Sequence, residues 1–230
     1  MTYLYLILML GTLFFPLILS FDKKVAYFKS WKWSFLSSIL IAIPYVLWDE
    51  YFTIEGIWGF NPKYLSGIYL GHLPLEEVLF FVVVPFACTF IYECVKYYVQ
   101  VKGIRSFNRF FAVLFLIYSI FLYVQNMQGF YTFSSVGIGI LVLFIFLRKN
   151  ERFLFLPLSF LITLIPFLLV NGVLTGAMIE GEIVWYNPLE FSDLRIWTIP
   201  MEDVIYSWGL LASNMMLFQW FKDKSVSSKV

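Results

Sequence analysis

The stretch "HLPLEEVLFF", residues 72–81, places Pro74, Glu76 and Glu77 at the mouth of a strongly apolar run. "TIPMEDVIYS", residues 198–207, does the same with Pro200, Glu202 and Asp203. Upstream of these, Asn61-Pro62 matches Asn187-Pro188, and every matched pair lies 126 residues apart without a gap. Asn-Pro followed by Pro-x-acid-acid at one fixed spacing marks an internal duplication. That duplication decides how the remaining apolar segments are grouped.

The 230 residues are 61% hydrophobic and only 13% charged, too little charge to cover a water-soluble surface, so the bilayer is the natural solvent. A spanning helix needs about 20 mostly apolar residues. Seven segments qualify: 2–21, 32–48, 75–98, 108–124, 130–147, 153–173 and 201–221. The expected fold is an all-α membrane protein of seven transmembrane helices in a 3+1+3 arrangement. Residues 1–106 form the first three-helix repeat, 107–126 a linker transmembrane helix and 127–230 the second repeat. Three spans invert the chain and the linker restores it, so the repeats run parallel about a pseudo-two-fold axis along the membrane normal. Pro44 and Pro85 are expected to kink their helices. The first segment lacks a basic start and a small-residue cleavage site, and reads as a retained span.

Charge sets the orientation. Of 16 Lys and Arg, 14 fall on one side of these spans, from Lys23 through Arg105 and Arg152 to Lys229; only Lys63 and Arg195 fall on the other. By the positive-inside rule the N-terminus lies outside and the C-terminus in the cytoplasm of a multi-pass protein of the cell (inner) membrane. A net charge of +1 without a basic cluster excludes nucleic acid as a partner. Cys88 and Cys94, six apart in one apolar run, read as packing residues rather than a bridge.

Pro74 and Pro200 suit the first turn of a helix, where Glu76 and Glu202 meet free amides, so the plainest role for these acids is to start helices. The duplication adds a second role. Parallel repeats bring both pairs to one bilayer depth near the outer interface, making a four-carboxylate constellation. Four carboxyl groups in a low-dielectric setting cannot all ionise cheaply, which leaves one to donate a proton and another to accept it. Aromatic residues crowd both outer segments, among them Trp58, Trp185 and Tyr206. Such rings form ordinary interfacial belts, and their faces also attract cations. An acid in an aromatic cage is suited to protonating an alkene. There is no G-x-G-x-x-G, G-x-x-x-x-G-K or H-E-x-x-H motif, so no dinucleotide, phosphate or metal site is expected. His72 stands two residues before Pro74 as an incidental or supporting group. The last span has no lysine for a retinal Schiff base, which removes a retinal pump.

At "PLEE" and "PMED" the chain resembles the small membrane-integral lycopene cyclases, in the fused single-chain form of the bacterial heterodimeric type, and the cyclase half of fungal lycopene cyclase/phytoene synthases. The resemblance also rests on Trp48-Asp49, Gly56, Trp58, Asn61-Pro62, Asn171, Tyr186-Asn187 and Tyr206. It implies proton-initiated, non-redox cyclisation of the ψ ends of lycopene to β-ionone rings, with a carotenoid substrate drawn from the bilayer and no cofactor. Glu76 and Glu202 are expected to be the central acid–base pair, with Glu77 and Asp203 tuning or relaying protons. Asp49, Trp58, Asn61, Asn171, Trp185, Asn187 and Tyr206 are expected to bind substrate or steady the cation. Homo-oligomers and association with other carotenoid enzymes stay open. So do a cyclase for C50 carotenoids or for ε or γ rings, a non-catalytic assembly subunit, and a small-solute or proton-coupled transporter. A transporter would want polar groups at mid-membrane, where only Ser213 and Asn214 stand, and helix–helix contact accounts for those equally well.

Overall fold

The computed structural model describes residues 3–227. Lys229, one of the orientation charges, and residue 2, the expected start of the first span, lie outside them. The described residues form seven α-helices: α1 (Leu4–Leu19), α2 (Trp31–Ile54), α3 (Leu75–Tyr98), α4 (Ile104–Gln125), α5 (Phe130–Arg148), α6 (Leu156–Leu174) and α7 (Glu202–Ser227). Each expected segment falls on one of them. Helices α2 to α6 are long and apolar enough to cross a membrane, whereas α1, with 16 residues, is shorter. Helix α7 has 26 residues but begins with Glu202 and Asp203 and carries lysines in its last turns.

One boundary is corrected. Helix α2 runs six residues past the expected end at 48, so Asp49 and Glu50 belong to the helix and not to a loop. Nothing in "DEYFTI" breaks a helix. The stop comes at Gly56, whose φ of 67° supplies the left-handed turn that ends helices at little steric cost.

The bundle is inside-out by the standard of a soluble protein. On α4, Phe110, Val113, Ile117, Ile120 and Val124 recur at three- and four-residue spacing and are all more than half exposed, forming an apolar outer stripe. Small polar residues lie within: Ser34, Ser37, Ser38, Thr89, Thr132 and Ser135 are buried. Their hydroxyls bond within the bundle, to one another, to backbone carbonyls or to buried side chains, as a bilayer core requires. Tyr27 Oη donates to Ser34 Oγ at 2.6 Å and lies 2.6 Å from Thr89 Oγ1, which is 2.7 Å from Ser34 Oγ. Asn214 Nδ2 donates to Ser38 Oγ at 3.2 Å, so this mid-helix polar group ties α7 to α2.

Helices α3 and α7 pack together at the centre. Helices α1 and α2 pack on α3, α5 and α6 pack on α7, α2 also meets α7, and α6 meets α3. Helix α4 lies against α5. Trp208 of α7 is fully buried among Phe111, Phe115, Phe146 and Phe160.

At one end of the bundle two loops form short strands. Between α2 and α3 lie β1 (Trp58–Phe60), β2 (Tyr69–Leu70) and β3 (Leu73–Pro74); between α6 and α7 lie β4 (Val184–Tyr186), β5 (Arg195–Ile196) and β6 (Ile199–Pro200). β2 pairs with β3, and β5 with β6. Pro74 sits in β3 as the residue before α3, one position short of the expected first turn. β1 and β4 pair antiparallel across the loops, Trp58 opposite Tyr186, Gly59 opposite Trp185 and Phe60 opposite Val184. Adding 126 to either end of β1 gives the matching end of β4, so the pairing maps onto itself. The flanking bonds match as well: Asn61 N–H donates to Ile183 O and Asn187 N–H to Ile57 O, both at 2.8 Å.

Helices α5 and α7 cross closely at Gly139, where an added Cβ would run into the Ile205 side chain, whereas Gly137 faces open space. Gly139→Leu is expected to destabilise the fold by about 1–3 kcal/mol and Gly137→Leu to leave it nearly unchanged. Thermal unfolding of the two variants in detergent checks this.

Candidate active site

The acids at each helix start divide into two functions. Glu76 and Glu202 are fully buried. Glu76 Oε1 accepts the Ser66 N–H at 2.6 Å; Glu202 Oε1 accepts the Ser192 N–H at 2.8 Å and the Thr132 hydroxyl at 2.7 Å. Each glutamate therefore reaches back ten residues and fastens the loop that leads into its own helix. The second oxygen of each is buried without a hydrogen-bond partner among the described residues.

The next residue on each helix turns elsewhere. Successive helical residues point about 100° apart, so Glu77 and Asp203 face away from the fastened loops and into a cavity. They line it with Asp49, Tyr5, Trp58, Phe60, Phe80, Tyr131, Phe167, Asn171, Leu174, Val184, Tyr186 and Tyr206. The free space is about 40 Å³, room for very few waters and far less than a ring-sized end group. Three carboxyl groups thus share one small chamber with aromatic walls.

Their hydrogen bonding is unequal. Glu77 Oε2 accepts from Tyr5 Oη at 2.6 Å. Asp203 Oδ1 accepts from Tyr131 Oη at 2.5 Å, and its Oδ2 accepts from Asn171 Nδ2 at 2.6 Å and Tyr186 Oη at 3.1 Å. Three donors on one carboxylate make the hydrogen-bond set of an anion. Asp49 Oδ1 accepts from Trp58 Nε1, and its Oδ2 is buried with no hydrogen-bond partner among the described residues. Burial pushes the Tyr186 hydroxyl well above its ordinary pKa, and the Asp203 carboxyl beside it adds to that, so Tyr186 stays a donor.

The walls are interlocked rings. The Trp58 ring lies 5.2 Å from Tyr131, edge to face, and 6.0 and 6.2 Å from Tyr186 and Tyr206. Tyr206 also meets Trp48 at 5.1 Å and Tyr45 at 5.5 Å. Faces and edges at these distances give a surface able to steady positive charge.

Of the expected site residues, the chamber therefore gathers Glu77, Asp203, Asp49, Trp58, Asn171 and Tyr206. It does not gather Glu76 and Glu202, expected to be central, because their carboxyls are turned to the loop amides. Trp185 is 38% exposed and lies over Gly59. Asn61 and Asn187 accept the Lys63 and Leu189 amides and shape turns. His72 bonds Glu50 at the surface, Nδ1 to Oε1 at 2.7 Å. Tyr5, Tyr131 and Tyr186 were missed as site residues. Tyr5 and Tyr131 were open to discovery, since they too are 126 apart and bond to carboxyls 126 apart.

Removing the fastener should free the loop it holds. Glu202→Ala loses two hydrogen bonds at about 0.5–1.5 kcal/mol each, so trypsin should cut after the exposed Arg195 about tenfold faster than in wild type. Limited proteolysis with mass detection reads this directly.

A protein-family model described as lycopene cyclase matches residues 2–95 and again 128–221. The two matches begin at 2 and 128 and end at 95 and 221, so both ends differ by 126. Searches of curated proteins and of solved structures returned no match.

Proposed function

The chain belongs to the lycopene cyclase family, multi-pass membrane enzymes that cyclise lycopene in carotenoid biosynthesis, and we propose that it is a lycopene β-cyclase working by carboxyl acid–base catalysis. The observation that carries this reading is the convergence of Asp49, Glu77 and Asp203 on one aromatic-walled chamber.

The reaction needs a proton delivered to the terminal double bond of a ψ end. The tertiary cation then closes on the next double bond, forming one carbon–carbon bond, and the ring loses a different proton. One proton enters and one leaves, so there is no net redox change. Glu77 and Asp49, with few donors pointed at them and an unpartnered Asp49 oxygen, are suited to deliver the proton. Asp203, with three donors, is suited to hold the negative charge that pairs with the cation and to take the second proton. Trp58 and Tyr206 steady the cation across their ring faces. Because all three carboxyls line the same space, the proton can return to the donor side between turnovers. Glu76 and Glu202 act one step away, holding the loops that close the chamber. A base reaching a different ring hydrogen would yield ε or γ rings, and a roomier chamber would take C50 substrates.

Matched bonds at Glu76 and Glu202, at Glu77 and Asp203, and along β1–β4 support two parallel repeats, 1–106 and 127–230, about a linker at 107–126. The charge distribution supports an orientation with the chamber at the outer face of the inner membrane and the N-terminus outside. The carotenoid comes from the bilayer, and the chamber, which as it stands is smaller than an end group, widens to admit it.

The test is expression in bacteria that accumulate lycopene, with pigment analysis. Wild type should yield cyclised product. Glu77→Gln and Asp203→Asn should each lose about 10²–10⁴ of the activity. Glu76→Gln and Glu202→Gln keep an amide oxygen to accept the loop N–H and should retain most of it. Uncyclised lycopene from well-folded wild type, or full activity in Glu77→Gln and Asp203→Asn, would overturn the reading.

A further inference from the structure

At the end of the bundle away from the chamber, a second hollow opens between α5 and α7. It holds about 340 Å³ of free space, far more than the chamber, and it is open to the outside. Its length is mostly apolar, formed by Ile145 on α5 and by Met216, Leu217 and Trp220 on α7, with the Ser213 hydroxyl among them. Its head is cationic, formed by Lys149 and Arg152, just after α5 ends. Arg152 Nε is paired with Asp223 at 2.8 Å, which leaves its charge partly balanced. Lys149 is exposed and makes no ion pair among the described residues. Arg148 lies over the Phe144 ring at 4.8 Å and Lys224 over the Trp220 ring at 3.9 Å, while the neighbouring acids Glu151 and Asp223 are each paired with an arginine.

A groove with an apolar floor along two membrane helices and one unbalanced cation, Lys149, at its mouth complements one kind of molecule: an anion attached to a hydrocarbon chain lying at the same membrane depth. We propose that this groove binds an anionic phospholipid, its phosphate against Lys149 and Arg152 and an acyl chain along Met216, Leu217 and Trp220. A neutral lipid offers the chain without the net charge, and a soluble phosphate offers the charge without the chain. The occupant needs both. The site uses none of the chamber residues and does not depend on the reaction assigned to them.

The experiment is native mass spectrometry of the purified full chain in detergent, titrated with phosphatidylglycerol, phosphatidylcholine or glycerol 3-phosphate. Wild type should retain phosphatidylglycerol at least about fivefold better than phosphatidylcholine, as expected for one unbalanced cation near a lipid head group, and should not retain glycerol 3-phosphate. Lys149→Glu should abolish the preference and Lys149→Arg should keep it. Leu217→Trp, which fills the groove, should lower retention of both lipids. Equal retention of the two lipids by wild type would overturn the proposal, as would an unchanged preference in Lys149→Glu. A dimer in wild type that Lys149→Glu dissolves would overturn it too, by showing that a second copy covers the groove.

Discussion

The site depends on the antiparallel pairing of β1 with β4. These two three-residue strands come from loops 126 residues apart in the chain, and their pairing lays Trp58 opposite Tyr186. Through Trp58 it carries the Asp49 contact of α2 to the side of the chamber where Tyr131, Tyr186 and Asp203 meet. Without that clasp each loop would close only over its own helix start. With it, rings from both halves of the chain close over carboxyl groups from both halves, and water is largely shut out. Lys63 and Tyr64 brace the same junction, both bonding Glu180 across the loops at 3.0 and 2.6 Å.

The paired acids then follow from helix geometry. Two adjacent residues at a helix start point about 100° apart. Here one faces the chamber and its neighbour faces the loop. A buried carboxyl without hydrogen-bond donors is costly, and the loop amides of Ser66 and Ser192 meet that demand for Glu76 and Glu202. The chamber carboxyls draw on side chains instead, and there the halves differ. Asn171 and Tyr186 both serve Asp203, while the position 126 before Asn171 is Tyr45, whose hydroxyl is buried without a hydrogen-bond partner among the described residues. A near-symmetric scaffold thus carries chemically unequal carboxyls.

Much of this was legible in the sequence. Apolar runs marked the helices because a bilayer punishes polar interruptions, and the fixed spacing tied distant segments together. The end of α2 was misplaced because Asp49 and Glu50 look like loop residues in a membrane span, although nothing there stops a helix before Gly56. The division between Glu76 and Glu77 could not be read from type or spacing, since both lie at the same depth and only the rotation of the helix separates them. Trp185, Asn61 and Asn187 share the motif that precedes each helix, yet strand alternation and turn geometry send their side chains out of the chamber. Tyr5 and Tyr131 lay in ordinary-looking apolar runs, and only the spacing would have singled them out.

The most direct test of the convergence is a cysteine pair at the clasp. Gly59→Cys with Trp185→Cys, in a chain whose Cys88 and Cys94 are replaced by alanine, puts two thiols on directly opposed residues, within the Cα separation that a disulfide accepts. Mild oxidation in the membrane should join them, so that after tryptic digestion the peptides carrying residues 59 and 185 travel together until reduced. If the thiols stay unlinked while the folded variant oxidises readily with a small-molecule disulfide, the two loops do not meet and the shared chamber does not exist.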